Sequence, residues 1–294
     1  MTSGILNINK EKGISSQKCV YLVKKTLDIK KVGHTGTLDL EASGVLPVVI
    51  GKATRLSQYI MDEKKEYITK AYFGKRTTTL DFAGEVTDTS DKTFEKEDLL
   101  KVLDEFKGEI VQIPPMYSAL KHKGKKLYDL AREGIEVERK ERTVQIYELE
   151  LVDFSFPEAT FRVKCSKGTY IRTLVDDIGE RIGTFAYVKD LVRSQVGIFS
   201  LDEAIKSEDI EDLGRDYLLS KIHPSDYPLT AYPSLNLDES YFKQAINGMT
   251  MVVDNESKTN PVKVYCGGEF IGLGRTFANG QKKLLKMEKV FYDK

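Results

Sequence analysis

Between residues 159 and 182 the hydrophobic period of the chain changes. Ala159, Phe161, Val163 and Cys165 alternate with polar neighbours, the two-residue repeat of a strand with one buried face. After a Ser-Lys-Gly-Thr break, Ile171, Leu174, Val175, Ile178 and Ile182 recur at helical spacing. A chain patterned this way lays helices on a sheet. Thr169 is placed to cap the helix. That puts Tyr170 and Arg172 in its first turn, where backbone N–H groups point toward incoming anions.

Strand and helix signals mix in the same way upstream. GILNIN (4–9) reads as a short apolar strand, and Ser15 or Ser16 can cap a helix whose Val20, Val23 and Leu27 share a face. GVLPVVIG (44–51) reads as a buried strand that Pro47 interrupts early, and EYITKAYFG (66–74) as another strand. TFEKEDLLKVLDEFKG (93–108) predicts a helix starting at Thr93, with Leu99, Leu103 and Phe106 inward. In RTVQIYELELVDF (142–154) the alternation slips near Tyr147, as a bulge would make it. Residues 113–134 resist regular assignment: two prolines break them, and Lys121, Lys123, Lys125 and Lys126 crowd around His122. Prolines cluster again at 223–235, read as a linker. Beyond lie a short helix near 238–247 and β segments with an Asn279-Gly280 hairpin signal, enough for a small β barrel or half-barrel.

The chain's 294 residues suit two units. Its three cysteines are scattered without a CxxC pair, which fits a reducing compartment rather than a disulfide or zinc scaffold. No secretory leader pattern and no apolar run of about 18 residues is present, so a soluble cytoplasmic protein is expected. Formal net charge is zero, yet residues 10–31 carry seven lysines against two acids, while 79–109 carry ten acids against four lysines. Segregation of this kind can give a neutral protein a basic face.

GHTGTLDLEASG (33–44) sets His34 five positions ahead of Asp39 between glycines. It is not a phosphate loop, because Gly44 and Gly51 are too far apart and Ala53 follows Lys52. The chain has no GxGxxG, GxSxG or HExxH, and His34, His122 and His223 form no ligand cluster. A lone carboxylate remains. Asp39 either closes an Asx-turn or caps the segment after it, or it is a nucleophile toward an electrophilic carbon, kept ionised by a nearby arginine.

The surrounding residues resemble the TruB family of bacterial tRNA pseudouridine synthases. The resemblance rests on GHTGTLDLEASGVLPV and GKATR, together with KEKGISSQ, KEYITKAYFG, QIPPMYSALKHKGKKLYDLAREG, CSKGTYIRTLVDDIGERIG and LVRSQVGIF, in the family's order. It implies a mixed α/β (α+β) catalytic domain, residues 1–230, around a large, mostly antiparallel sheet. A small PUA-like RNA-binding β domain, 231–294, would come after it. The implied substrate is a uridine in the T arm of tRNA, flipped out of its loop. No cofactor, metal or protein partner is implied, and a monomer suffices.

Roles carry over residue by residue as implications of that resemblance. Asp39 matches the catalytic aspartate, Arg172 the arginine paired with it, and Tyr67 a pocket tyrosine that stacks on the base and assists proton transfer. His34 matches the histidine that enters the T loop; Tyr170 and Leu191 match substrate-contacting residues. Lys10 matches a lysine of the N-terminal motif, and Asp81 an acid before the pocket. Lys121, Lys123, Lys125 and Lys126 fit phosphate contacts. The chain departs from the family at Glu11, where proline is usual, at Thr78 in place of aspartate, at Lys189-Asp190, and in having the single Arg193 where two arginines are common. Two rival readings stand beside this one: a non-catalytic tRNA-binding or folding factor, and a carboxylate glycosidase with Glu41 as second acid.

Overall fold

A computed structural model describes residues 2–254 and 257–292. Ten strands form one sheet: β1 (Gly4–Lys10), β2 (Val32–His34), β3 (Ser43–Ile50), β4 (Lys65–Phe73), β5 (Gly108–Gln112), β6 (Arg142–Ser155), β7 (Glu158–Cys165), β8 (Ala186–Val196), β9 (Phe199–Ser200) and β10 (Ile205–Lys206). Their spatial order is β10-β1-β3-β8-β4-β7-β6-β5, with β2 also on β3 and β9 on β8. Pairing is antiparallel except at β10–β1 and β3–β8. Mixed α/β architecture with a mostly antiparallel sheet is thus what forms.

Four helices cover one face: α1 (Ser16–Leu27), α2 (Lys96–Glu105), α3 (Ile171–Ile182) and α4 (Ile210–Ser220). Val23, Leu103, Ile178 and Leu218 meet Leu46, Phe161 and Val163 there in one buried cluster. The anticipated helical period in 171–182 and the alternation in 159–165 are both observed. The register of β6 against β7 shifts between Ile146 and Glu148, so the bulge does fall at Tyr147. Ser15 caps α1 by accepting from the Lys18 N–H.

Four local expectations are corrected. Strand β3 runs straight through Pro47. The Pro47 carbonyl accepts from Thr35 N–H at 3.1 Å, and a strand residue's carbonyl and nitrogen point the same way, so its missing N–H faces a seam rather than β1. Helix α2 starts at Lys96 after Glu95, not at Thr93, with Glu97 and Asp98 complementing its dipole. Tyr170, not Thr169, is the N-cap of α3; the Thr169 hydroxyl instead donates to Ser166 O. Finally, residues 223–235 are packed rather than free. His223 and Ile5 exchange two backbone hydrogen bonds, and Leu229 is buried.

Five more strands make the C-terminal sheet: β11 (Ser234–Leu237), β12 (Thr250–Val253), β13 (Val262–Cys266), β14 (Glu269–Asn279) and β15 (Lys282–Val290), in the order β11-β13-β14-β15-β12. The hairpin at Asn279-Gly280 joins β14 to β15, with Gly280 at φ 61. This sheet has its own apolar core around Val264, Ile271 and Leu285. Leu273 and Phe291 turn the other way and join Ile5, Val45 and Val49 on the second face of the large sheet.

Candidate active site

The parallel seam between β3 and β8 is short. Val192 pairs with Ser43 and Arg193 with Gly44, after which the strands part. The loop bearing Asp39 closes over this opening. Its composition suggests mobility, but its backbone is tied down at several points. Leu38 N–H donates to Ser16 Oγ at 2.9 Å. Leu40 O accepts from Gly13 N–H at 2.9 Å and from Lys10 Nζ at 3.2 Å, and Gly36 O accepts from the Arg193 guanidinium at 3.1 Å.

Asp39 is held through both its backbone and its side chain. Ala42 N–H bonds its main-chain oxygen at 3.2 Å, leaving the carboxylate to pair with Arg172, Nε to Oδ2, at 2.9 Å. The carboxylate thus pairs with an arginine rather than closing a local turn. Arg172 is 4% exposed, and Asp39's side chain is 43% exposed, so a buried cation presents a reachable anion. The rest of the guanidinium is anchored. It donates to Thr79 O and Tyr117 O, each at 2.7 Å, and lies 3.6 Å from Asp81. Arg172 sits in the first turn of α3, as anticipated, two residues past the observed N-cap Tyr170.

Beside Asp39 is a recess lined by Glu41, Asp81, Phe82, Arg172, Val188 and Leu191. Leu191 and Asp81 are therefore brought to the site. Asp81 is fixed by the Thr79 hydroxyl and by Ala83 N–H. Phe82 is 48% exposed at the rim, an apolar surface that sequence reasoning passed over. A wider cavity against α4, walled by Asp202, Glu203, Asp209 and His223, includes none of the residues matched to family roles above.

Tyr67 stands on β4 directly opposite Arg193 on β8. Burial pushes its phenol up, while the adjacent Arg193 charge and hydrogen bond pull it down. His34 ends β2; burial and then Arg193 depress its pKa, and its Nδ1 lacks a hydrogen-bond partner among the described residues. Tyr170 is locked through its backbone to the Gln112 amide, with Arg142 over its ring at 5.4 Å.

Lys10 is placed differently from a substrate contact. It is fully buried, and its ammonium bonds the oxygens of Glu11, Ile14 and Leu40. Burial pulls its pKa down to about 8. It acts from beneath, as the tie between the N-terminal loop and the Asp39 loop. The lysines at 121–126 form an exposed two-stranded ribbon turning at Lys123-Gly124. Lys125 is 3.6 Å from Glu133, and Lys126 bonds the Tyr128 hydroxyl. The ribbon grows from the segment whose Tyr117 O holds Arg172.

Arg193 is the main residue whose position sequence reasoning missed. A signal for it exists, since it occupies an inward position of an otherwise apolar alternation in β8.

Comparison with known proteins gives the family. Residues 24–171 match the model of the TruB family pseudouridylate synthase N-terminal domain. Residues 172–230 match that of the tRNA pseudouridylate synthase B C-terminal domain. The chain belongs to the TruB family. Among curated TruB relatives, tRNA pseudouridine synthase B of Alkaliphilus oremlandii is 43% identical, over 99% of each chain. That of Pseudomonas fluorescens Pf-5 is 44% identical over 97% of this chain and 96% of the relative. The fold also resembles a chain of an H/ACA ribonucleoprotein bound to a substrate RNA containing 2'-deoxyuridine, with TM-score 0.74, 25% identity, and coverage of 99% and 85%. A Cbf5-Nop10-Gar1 complex contains a similar chain at 26% identity and TM-score 0.74, covering 98% and 85%.

Proposed function

We propose that this TruB family member isomerises a uridine in the T arm of tRNA to pseudouridine, with Asp39 as nucleophile. The observation that carries the reading is the 2.9 Å pair between Asp39 and a buried Arg172 whose other donors are fixed on backbone carbonyls. A carboxylate so paired is held beside a fixed cation, which sets its aim.

The isomerisation breaks the bond from N1 of uracil to the ribose, turns the base and re-forms the link through C5. N1 ends with a proton and C5 loses one, so no atom is gained or lost overall. Asp39 attacks the uridine during cleavage of its glycosidic bond. Tyr67, beneath the same opening, stacks on the base and assists the proton transfer. Leu191 and Phe82 give the extruded base apolar walls, replacing part of the stacking lost on flipping. His34 enters the space the base vacates. The lysine ribbon and the C-terminal β unit, residues 231–294, hold the RNA by its phosphates, which orients without reading sequence.

Tritium release from a T-arm stem-loop labelled at uridine C5 tests this, for wild type and Asp39→Asn, with RNA binding measured in parallel. Wild type releases tritium and Asp39→Asn binds without releasing it. Binding without release by wild type would mean an RNA-binding factor instead.

A further inference from the structure

We infer that Arg193 is a positioning residue for catalysis, locking the Tyr67 hydroxyl to the loop that presents Asp39; this rests on the roles proposed above for those two residues. Arg193 is 2% exposed. Its Nε donates to Val45 O at 2.7 Å and its terminal nitrogen to Gly36 O at 3.1 Å. It lies across from Gly44 on one side and Tyr67 on the other. Among the described residues its guanidinium bonds carbonyl oxygens and forms no ion pair.

A buried guanidinium without an anionic partner is costly, and a strand only needing to fill space would carry leucine there. Two features account for the arginine. Val45 O points into the gap where β3 leaves β8 and would have no strand partner, and Gly36 O belongs to the loop rather than to the sheet. One planar group with several donors can hold both carbonyls and still face a phenol. Arg193 thereby fixes the distance between the loop ahead of Asp39 and the ring of Tyr67. Burial raises the Tyr67 pKa and lowers that of His34, and the Arg193 charge lowers both.

The test is single-turnover tritium release with Arg193→Gln and Arg193→Lys, each made in wild-type and Tyr67→Phe backgrounds, alongside T-arm RNA affinity and thermal melts. Arg193→Gln lowers the rate at saturating enzyme about 100-fold, the scale expected for a displacement near 1 Å, with RNA affinity changed less than about threefold. Arg193→Lys recovers part of the loss. In the Tyr67→Phe background the Gln substitution costs only about tenfold, because the two residues act as a unit. Equal losses in both backgrounds would overturn the inference, as would affinity falling in step with rate. Loss of cooperative melting in both the Gln and the Lys variants would do so too, leaving a folding role alone. Release by Asp39→Asn, run beside them, would instead remove the reading of the site itself.

Discussion

Replacing Arg172 separates its two duties, holding the fold around α3 and aiming Asp39. Arg172→Met removes donors from Thr79 O and Tyr117 O, both at 2.7 Å. Each charge-assisted bond is worth about 2 kcal/mol when its partner is left bare. The Asp39 pair adds little to stability, at most about 1 kcal/mol, since its carboxylate is half exposed. Asp81, with a 14% exposed side chain, also loses its nearest cation. The expected loss is about 4 kcal/mol, or roughly 10 °C in melting temperature for a chain this long.

Arg172→Lys discriminates better. A lysine carries one flexible ammonium and cannot hold Asp39, Thr79 O and Tyr117 O together. Stability should fall only about 1–2 kcal/mol, while the loss of aim costs about 100-fold in single-turnover tritium release at saturating enzyme. Melts and rates are taken on the same samples at a temperature where every variant is folded. A lysine variant within threefold of the wild-type rate would refute the reasoning. So would a rate deficit explained by the unfolded fraction alone.

Neutralising the ribbon as Lys121→Ala with Lys123→Ala should weaken binding equally to T-arm and unrelated stem-loops. The slope of log affinity against log salt should shrink by about 2, and the rate at saturation should stay unchanged; a loss confined to the T-arm RNA would argue for base readout instead. Asp177 supplies a pH test. Burial, then Asp176 and Glu180, push its carboxyl up to about 7 from the usual 3.8. The folded state thus holds that proton more tightly than the unfolded chain, so the contribution is full below about 4 and is lost as pH rises through about 7. Asp177→Asn should gain about 2 kcal/mol in urea melts at pH 8, after allowing for partial solvent contact, and none near pH 3.5. An unchanged pH dependence would count against it.

Much of the fold is legible in the residue order. Periodicity locates α1, α3, β6 and β7, and even the bulge at Tyr147, because each buries one face against a common core. The pairing of Asp39 with Arg172, implied by family resemblance, is found as expected. The failures share a cause. Pro47 reads as a breaker because a sequence does not show on which flank of a strand the missing N–H falls, here the side where its carbonyl meets Thr35 rather than β1. Thr93 and Thr169 look like caps by residue type, but the chain approaches α2 and α3 in ways that commit their hydroxyls elsewhere or leave them out. Residues 223–235 look like a linker from their prolines, yet the edge of β1 at Ile5 is open for His223 to pair with. Nothing in the residues around Lys10 signals burial, and only the fold shows three carbonyls converging on it.

The glycines of the Asp39 loop invite the opposite conclusion from the one the structure supports. Gly36 has φ +125, so the chain turns there in a way that side chains resist, and this exposes its carbonyl to Arg193. At Gly44, also at positive φ, an added Cβ would fall 2.2 Å from Arg193 O, so the glycine is what lets β3 and β8 touch at all. Neither residue is there to make the loop move. They permit close backbone approach on the side of the sheet where the strands separate, and that approach brings Arg193 within reach of Gly36 and Val45. A flexible composition has here been used to build a rigid mount. The nucleophilic role proposed for Asp39 requires such a mount, because flipping a base achieves nothing if the carboxylate wanders.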